Sequence, residues 1–167
     1  MTDPNQILRP YLAEGMTVFE PGPGMGFFTI EMARMVGASG KIVAVDIQPR
    51  MLENLRRRAR RAGVADRIVG RLAESQMMGI ADFTGKVDFI LAFAVVHELP
   101  NTRKFFEESY LVMKPKGRML FSEPSNHVDV ESFEKSVQMA QEVGLTVVDR
   151  PIIRSQETVL LGKRKED

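Results

Sequence analysis

Thr17-Val18-Phe19-Glu20-Pro21-Gly22-Pro23-Gly24-Met25-Gly26-Phe27 carries the reading of this chain. A β-branched and aromatic run ends on an acid, glycines alternate at positions 22, 24 and 26, and an amphipathic stretch opens at Phe27. Alternating glycines turn the backbone tightly and let it approach a ligand with no β-carbon in the way. The segment predicts strand, turn and helix in succession, the helix running from Phe27 to Val36 and stopping at Gly37. In an open α/β sheet such a turn lies at the carboxyl end of the first strand, beside the point where ligands bind.

The same alternation continues outward. Lys41 to Asp46 is a buried-strand run ending on an acid, and Met51, Leu52, Leu55, Ala59 and Ala62 recur at helical spacing up to Gly63. Arg67 to Val69 is a weaker strand. Val87 to Ala94 is apolar almost throughout, as a parallel strand covered on both faces should be. A helix over Thr102–Met113, a strand over Arg118–Ser122 and a helix over Asp129–Val143 follow. Thr146–Arg154 and Thr158–Lys163 leave no room for a helix between them, so they predict an antiparallel hairpin. Before the first strand only Pro4 to Ala13 reads as helical. The expected fold is α/β: a doubly wound, Rossmann-like, seven-stranded and mostly parallel sheet with a C-terminal antiparallel hairpin.

Composition narrows the function classes. The chain has 167 residues, 44% of them apolar and 27% charged, which suits one ordinary domain with a full core. Its 23 basic and 22 acidic side chains exclude a strongly basic nucleic-acid coat protein or an acidic tail. Without cysteine there is no disulfide, thiolate metal site or cysteine nucleophile. Neither a signal pattern nor an apolar run of membrane-spanning length is present, so a cytoplasmic protein with no membrane partner is expected.

The turn also selects among ligands. A dinucleotide-binding turn needs Gly-x-Gly-x-x-Gly, which from Gly22 would require glycine where Phe27 stands. No Gly-Lys-Ser/Thr follows either, so a P-loop is absent. Asp46 ends the second strand twenty residues after Gly26, where a carboxylate can accept both hydroxyls of a ribose. Glu20, two residues before Gly22, favours a ligand with an amino group.

With these residues the sequence resembles the class I S-adenosylmethionine-dependent methyltransferases. Glu20-x-Gly22-x-Gly24-x-Gly26 looks like their first motif and Val43-Ala44-Val45-Asp46-Ile47 like their second-strand motif. Asp88-Phe89-Ile90 with Val96-His97-Glu98-Leu99 resembles the fourth-strand segment, and Leu111 to Arg118 the approach to the fifth strand, with Lys116 in place of the usual first glycine. The resemblance runs from about Gly15 to Lys163. It implies a single methyltransferase domain over residues 1–167, with an N-terminal helical segment at 1–14 and a cofactor-binding core at 15–167. It further implies S-adenosylmethionine as methyl donor and S-adenosylhomocysteine as product. Gly22, Pro23, Gly24, Gly26 and Phe27 would shape the wall under the methionine part, Glu20 would orient its amino group, and Asp46 would hold the ribose, with Ile47 beside it. Leu72 falls where the family often has an adenine-contacting acid, so Leu72, Ala73 and Glu74 would line the adenine, and Ala94 would close the cofactor site.

Methyl transfer from a sulfonium needs alignment in a dry site more than acid–base groups, so the lack of a triad does not count against an enzyme. Candidate acceptor-side residues follow the fourth and fifth strands: His97 and Glu123 as catalytic groups, with Asn126 and His127 nearby and Glu98 as a helix-cap or surface acid. Ala94 and Val95 stand where a catechol-type metal site would want carboxylates, so no metal is expected. Phe93-Ala94-Val95-Val96 lacks the Asn/Asp-Pro-Pro-aromatic signature of adenine or glutamine N-methylation, and the absence of cysteine excludes the covalent cytosine mechanism and thiol-bound arsenic chemistry.

Arg56, Arg57, Arg58, Arg60 and Arg61 cluster on one helix with Arg50, Arg67 and Arg71 nearby; they read as a solvated face supported by an i,i+4 pair from Glu53 to Arg57. The methionines read as packing. A small-molecule acceptor is the favoured partner. An RNA or protein acceptor, or a non-catalytic cofactor-binding module, stays open. So short a chain would need a second subunit (a homodimer), the N-terminal segment or a large acceptor to close its pocket.

Overall fold

The computed structural model describes residues 3–163. Residues 1–2 and 164–167, the ends of the expected N-terminal segment and core, lie outside the described residues. A seven-stranded sheet is ordered β3-β2-β1-β4-β5-β7-β6, and the chain divides into two compact units that meet in sequence at Gly79 and Ile80.

The first unit holds α1 (Pro4–Leu8), β1 (Thr17–Pro21), α2 (Phe27–Val36), β2 (Lys41–Asp46), α3 (Pro49–Arg61) and β3 (Ile68–Leu72). β1 pairs in parallel with β2, and β2 with β3, each linked through a helix. Val18, Phe19, Ile42, Val43 and Val45 of the strands are buried with Met32, Ala33, Val36, Leu52 and Leu55 of the helices. α1 is shorter than the predicted Pro4–Ala13 helix. Pro10 has no amide hydrogen to donate, so the helical hydrogen-bond ladder breaks there and the helix ends at Leu8, with Arg9 as its C-cap still in helical conformation.

The second unit holds β4 (Val87–Phe93), α4 (Thr102–Val112), β5 (Met113–Pro124), α5 (Val130–Val143), β6 (Leu145–Asp149) and β7 (Gln156–Lys163). β4 and β5 are parallel; β7 lies antiparallel to both β5 and β6, which gives the expected hairpin. Phe106, Phe121 and Phe133 form its aromatic core, with ring centroids 5.5 and 4.9 Å apart. β5 begins five residues before the predicted strand. Val87 pairs with Met113 and Phe89 with Arg118, so the intervening residues are absorbed as an irregularity within the strand. Gly117 fits there because a β-carbon would stand 2.9 Å from the Lys114 carbonyl oxygen.

Caps follow side-chain chemistry. Asn101 accepts the Lys104 amide at 2.9 Å to start α4, and Asp129 accepts that of Ser132 at 2.7 Å to start α5. Glu98, expected as a helix cap or surface acid, is an exposed member of a 3-10 turn over Val96–Glu98 and caps nothing. Packing accounts for Met32, Met113 and Met119, which are fully buried, but not for Met25 and Met77, which are 54% and 40% exposed.

Candidate functional site

In the first unit the carboxyl ends of β1, β2 and β3 carry the residues singled out by sequence. Gly22 follows β1, and its amide donates to the Val45 carbonyl at 2.8 Å, tying the turn to β2. The glycines differ in role. Gly24 has φ +55°, and a β-carbon built there would meet nothing within 4 Å: the turn faces open space. Gly26, at φ +90°, would place its β-carbon 2.6 Å from Leu55 Cδ1, so its lack of a side chain lets α2 and α3 pack.

Glu20 is buried at the end of β1, 4% exposed. Thr29 Oγ1, on the buried side of α2, donates to its Oε2 at 2.5 Å. Burial pushes the Glu20 carboxyl from an ordinary 4.5 up to about 8; the Thr29 hydrogen bond opposes this and the negative charge of Asp46 adds to it. The carboxylate is therefore short of positive charge. Asp46, half-buried at the end of β2, accepts the Gln48 amide at 2.9 Å, while its own carbonyl accepts the Ala73 amide at 2.8 Å. The turn after β1 and the ends of β2 and β3 also leave large apolar side chains in the open: Met25, Phe27, Ile47 at 67% and Leu72 at 54%. Glu74 is exposed on the loop after β3, whose end turns back so that Arg71 donates to the Gly79 carbonyl at 3.1 Å.

The arginines of α3 are exposed. Arg57 lies 3.6 Å from Glu53, the expected pair, and Arg58 donates to the Met25 carbonyl at 3.0 Å.

In the second unit the chain leaves β4 through Ala94, whose φ of +57° is left-handed for a residue with a side chain. Its amide donates to the Ser122 carbonyl at 2.8 Å. The 3-10 turn that follows is held by a single carboxylate. Glu123, 2% exposed on β5, accepts the amides of Val96 at 3.2 Å and His97 at 3.1 Å, and lies 2.7 Å from His97 Nδ1. His97 and His127 have nearly parallel rings, 6.2 Å between centroids. These side chains line a cavity of about 310 Å³ together with Asp129, Ser132 and Ser136. Asn126 does not line it.

Sequence reasoning missed Thr29, the left-handed backbone of Ala94 and the bonds from Glu123 to backbone. Thr29 left a usable signal, a hydroxyl on the apolar face of a helix nine residues after a buried acid; the other two depend on contacts distant in sequence. Among the described residues no cluster of His, Cys, Asp and Glu suits a metal ion, and no helix is long and apolar enough to cross a membrane.

Comparison with known proteins gives a consistent picture. Residues 12–160 match a family model described as a methyltransferase domain. The chain is 30% identical over 128 residues to an arsenite methyltransferase of Halobacterium salinarum, covering 77% of this chain and 31% of that protein. It is 33% identical over 113 residues to the ubiquinone/menaquinone biosynthesis C-methyltransferase UbiE of Escherichia fergusonii, covering 66% and 44%. The chain thus spans less than half the length of these curated relatives. The crystal structure of a SAM-dependent methyltransferase from Aquifex aeolicus superposes with a TM-score of 0.84 at 26% identity, over 95% of this chain and 88% of that one.

Proposed function

The chain belongs to the methyltransferase-domain family, of the class I S-adenosylmethionine-dependent kind, and from that premise we propose that it transfers a methyl group from S-adenosylmethionine to a small-molecule acceptor. The observation that carries the reading is Glu20: a carboxylate buried with a hydroxyl donor and a negative neighbour, on the turn where Gly24 faces open space. That environment suits a ligand which brings its own cation, as the amino group of S-adenosylmethionine does.

The residues present fit the rest of that ligand. Asp46 is placed at a strand end to accept ribose hydroxyls. Ile47 and Leu72 offer apolar surface to a flat base, with Ala73 and Glu74 beside them, and Phe27 and Met25 cover the turn side. Gly22 and Gly24 would give the wall without β-carbon bulk, with Pro23 between them, and Gly26 lets α2 pack behind it. Ala94 is assigned to the cofactor on family resemblance. When bound, the donor supplies an electrophilic methyl on a positively charged sulfur; the protein's part is to align the acceptor and exclude water, and such positioning is worth about 7–11 kcal/mol. On the acceptor side His97 and Glu123 are the groups with acid–base capacity.

One curated relative is named for arsenite and the other for C-methylation in ubiquinone/menaquinone biosynthesis, which supports a small acceptor. This sequence supplies no cysteine thiolate to hold trivalent arsenic, which favours an organic acceptor. Calorimetric titration tests the reading: S-adenosylhomocysteine should bind, NAD should not, and Gly24→Val should abolish binding while leaving the circular dichroism spectrum intact. Tight NAD binding with none of S-adenosylhomocysteine would sink it.

A further inference from the structure

The helices of the first unit bound a cavity of about 490 Å³ that Glu20, Asp46 and Leu72 do not line; of the residues assigned to the cofactor, Gly26 and Phe27 reach it. Its lining follows from helical spacing. On α2, Phe27, Ile30, Glu31 and Arg34 recur at i, i+3, i+4 and i+7 and so share one face; on α3, Arg58 and Arg61 stand three apart and do the same. The apolar lining includes Phe27, 48% exposed, and the buried Ile30. The charged lining is Arg34, Arg58 and Arg61 against Glu31 alone, an excess of two positive charges. The whole chain carries only +1, so this excess is local to α2 and α3. Arg34 pairs with Glu31. Arg58 donates one N–H to the Met25 carbonyl at 3.0 Å, which anchors the guanidinium and leaves most of its fork to donate. Arg61 has no ion-pair partner among the described residues.

We propose that this cavity binds a small phosphomonoester whose organic part is an apolar ring. A phosphomonoester carries about −1.5 to −2 at pH 7, which matches the excess of two positive charges, and its oxygens accept from planar guanidinium forks. A carboxylate brings one charge and leaves the other unanswered. Free inorganic phosphate has the charge but leaves the Phe27 and Ile30 surface in water, where burying it under a ring is favourable. The volume lies in the range of roughly 300–1,000 Å³ that takes small organic ligands. The site is independent of the methyltransferase reading, since it needs neither Glu20 nor Asp46.

The chain has no tryptophan, so the fluorescence anisotropy of 1-naphthyl phosphate reads its binding to the full chain against a clean background. It should bind at least about tenfold more tightly than 1-naphthol, 1-naphthoate or inorganic phosphate, each measured as a competitor. Arg61→Gln should weaken it about tenfold and leave the circular dichroism spectrum unchanged. Arg57→Gln removes the same charge from the same helix at a position outside the cavity. In about 0.15 M salt, which screens exposed charges, it should change binding less than about twofold. Saturating S-adenosylhomocysteine should leave the probe bound. Absence of binding, equal binding of any of the three competitors, equal losses from Arg57→Gln and Arg61→Gln, or competitive displacement by S-adenosylhomocysteine would overturn the proposal.

Discussion

Binding of S-adenosylhomocysteine should release a proton, and the amount follows from Glu20. With its carboxyl at about 8, the ratio of neutral to ionised protein is about ten to one at pH 7. A ligand whose ammonium pairs with the ionised form must first draw on that minor population, so its apparent affinity is reduced by the ionised fraction. That fraction is about 1% at pH 6 and about half at pH 8. Affinity should therefore rise about 50-fold across this interval, then level off as the ligand's own amino group begins to lose its proton. Calorimetry at pH 7 in buffers of different ionisation enthalpy should show about 0.9 proton released per ligand bound. 5′-Methylthioadenosine, which lacks the amino-acid ammonium, should release none and bind with a flat pH profile, and Glu20→Gln should bind S-adenosylhomocysteine weakly with the same flatness. The free protein offers a second readout. Because folding raises this carboxyl above its ordinary 4.5, the neutral form favours the native state. Its contribution is complete below pH 4.5 and is lost as pH rises through 8, a change of at most about 5 kcal/mol. The urea stability of Glu20→Gln should lack that decline. Proton-free binding of S-adenosylhomocysteine with constant affinity from pH 6 to 8 would refute the reasoning.

Asp46→Ala should weaken S-adenosylhomocysteine about 10- to 100-fold, from the roughly 1.5–3 kcal/mol carried by hydrogen bonds to a charged group, while the melting temperature hardly moves; an unchanged dissociation constant would place the ribose elsewhere. Gly26→Ala should cost about 2–4 kcal/mol in denaturant titration, since its β-carbon would strike Leu55 Cδ1 in a left-handed backbone. Gly24→Ala should cost the fold only about 1 kcal/mol and act chiefly on ligand affinity, because its β-carbon points into free space. Ala94→Gly should raise stability by about 0.5–1 kcal/mol by relieving a φ of +57°, and a loss of stability would show that the Ala94 methyl packs more than its backbone strains.

Much of the fold was legible because the signals were local. The helix over Phe27–Val36 and the strand over Lys41–Asp46 carry their own apolar runs and glycine stops, and both stand where the sequence predicts them. Pro10 is equally local: lacking an amide hydrogen, it ends the helix inside the Pro4–Ala13 stretch. The remaining differences have non-local causes. Met113–Gly117 joins β5 because the strand pairs with Val87 at one end and Phe89 at the other, a choice made by β4 and not by residues 113–117 themselves. At the site, Glu20 and Asp46 could be picked out from their places at strand ends. The buried state of Glu20 and its link to Thr29 arise from the fold of β1 against α2. Glu123 shows the limit most clearly: its partners Val96 and His97 lie 27 and 26 residues away, and no periodicity encodes such a meeting.

The three bonds that Glu123 makes to the 3-10 turn after β4 have a dynamic consequence. Segments that close over ligands are drawn from the least stable parts of a protein, with solvated amides that exchange freely. Here the amides of Val96 and His97 end on a carboxylate rooted in β5, so their hydrogen exchange should be as slow as that of the strand itself. A cavity wall built this way does not fold around a ligand. The conformational entropy of ordering it is already lost when the chain folds, leaving less to be offset at the moment of encounter. Any small molecule that enters this cavity should then associate in one kinetic phase, with selectivity set by a wall of fixed shape and not by one that the ligand induces.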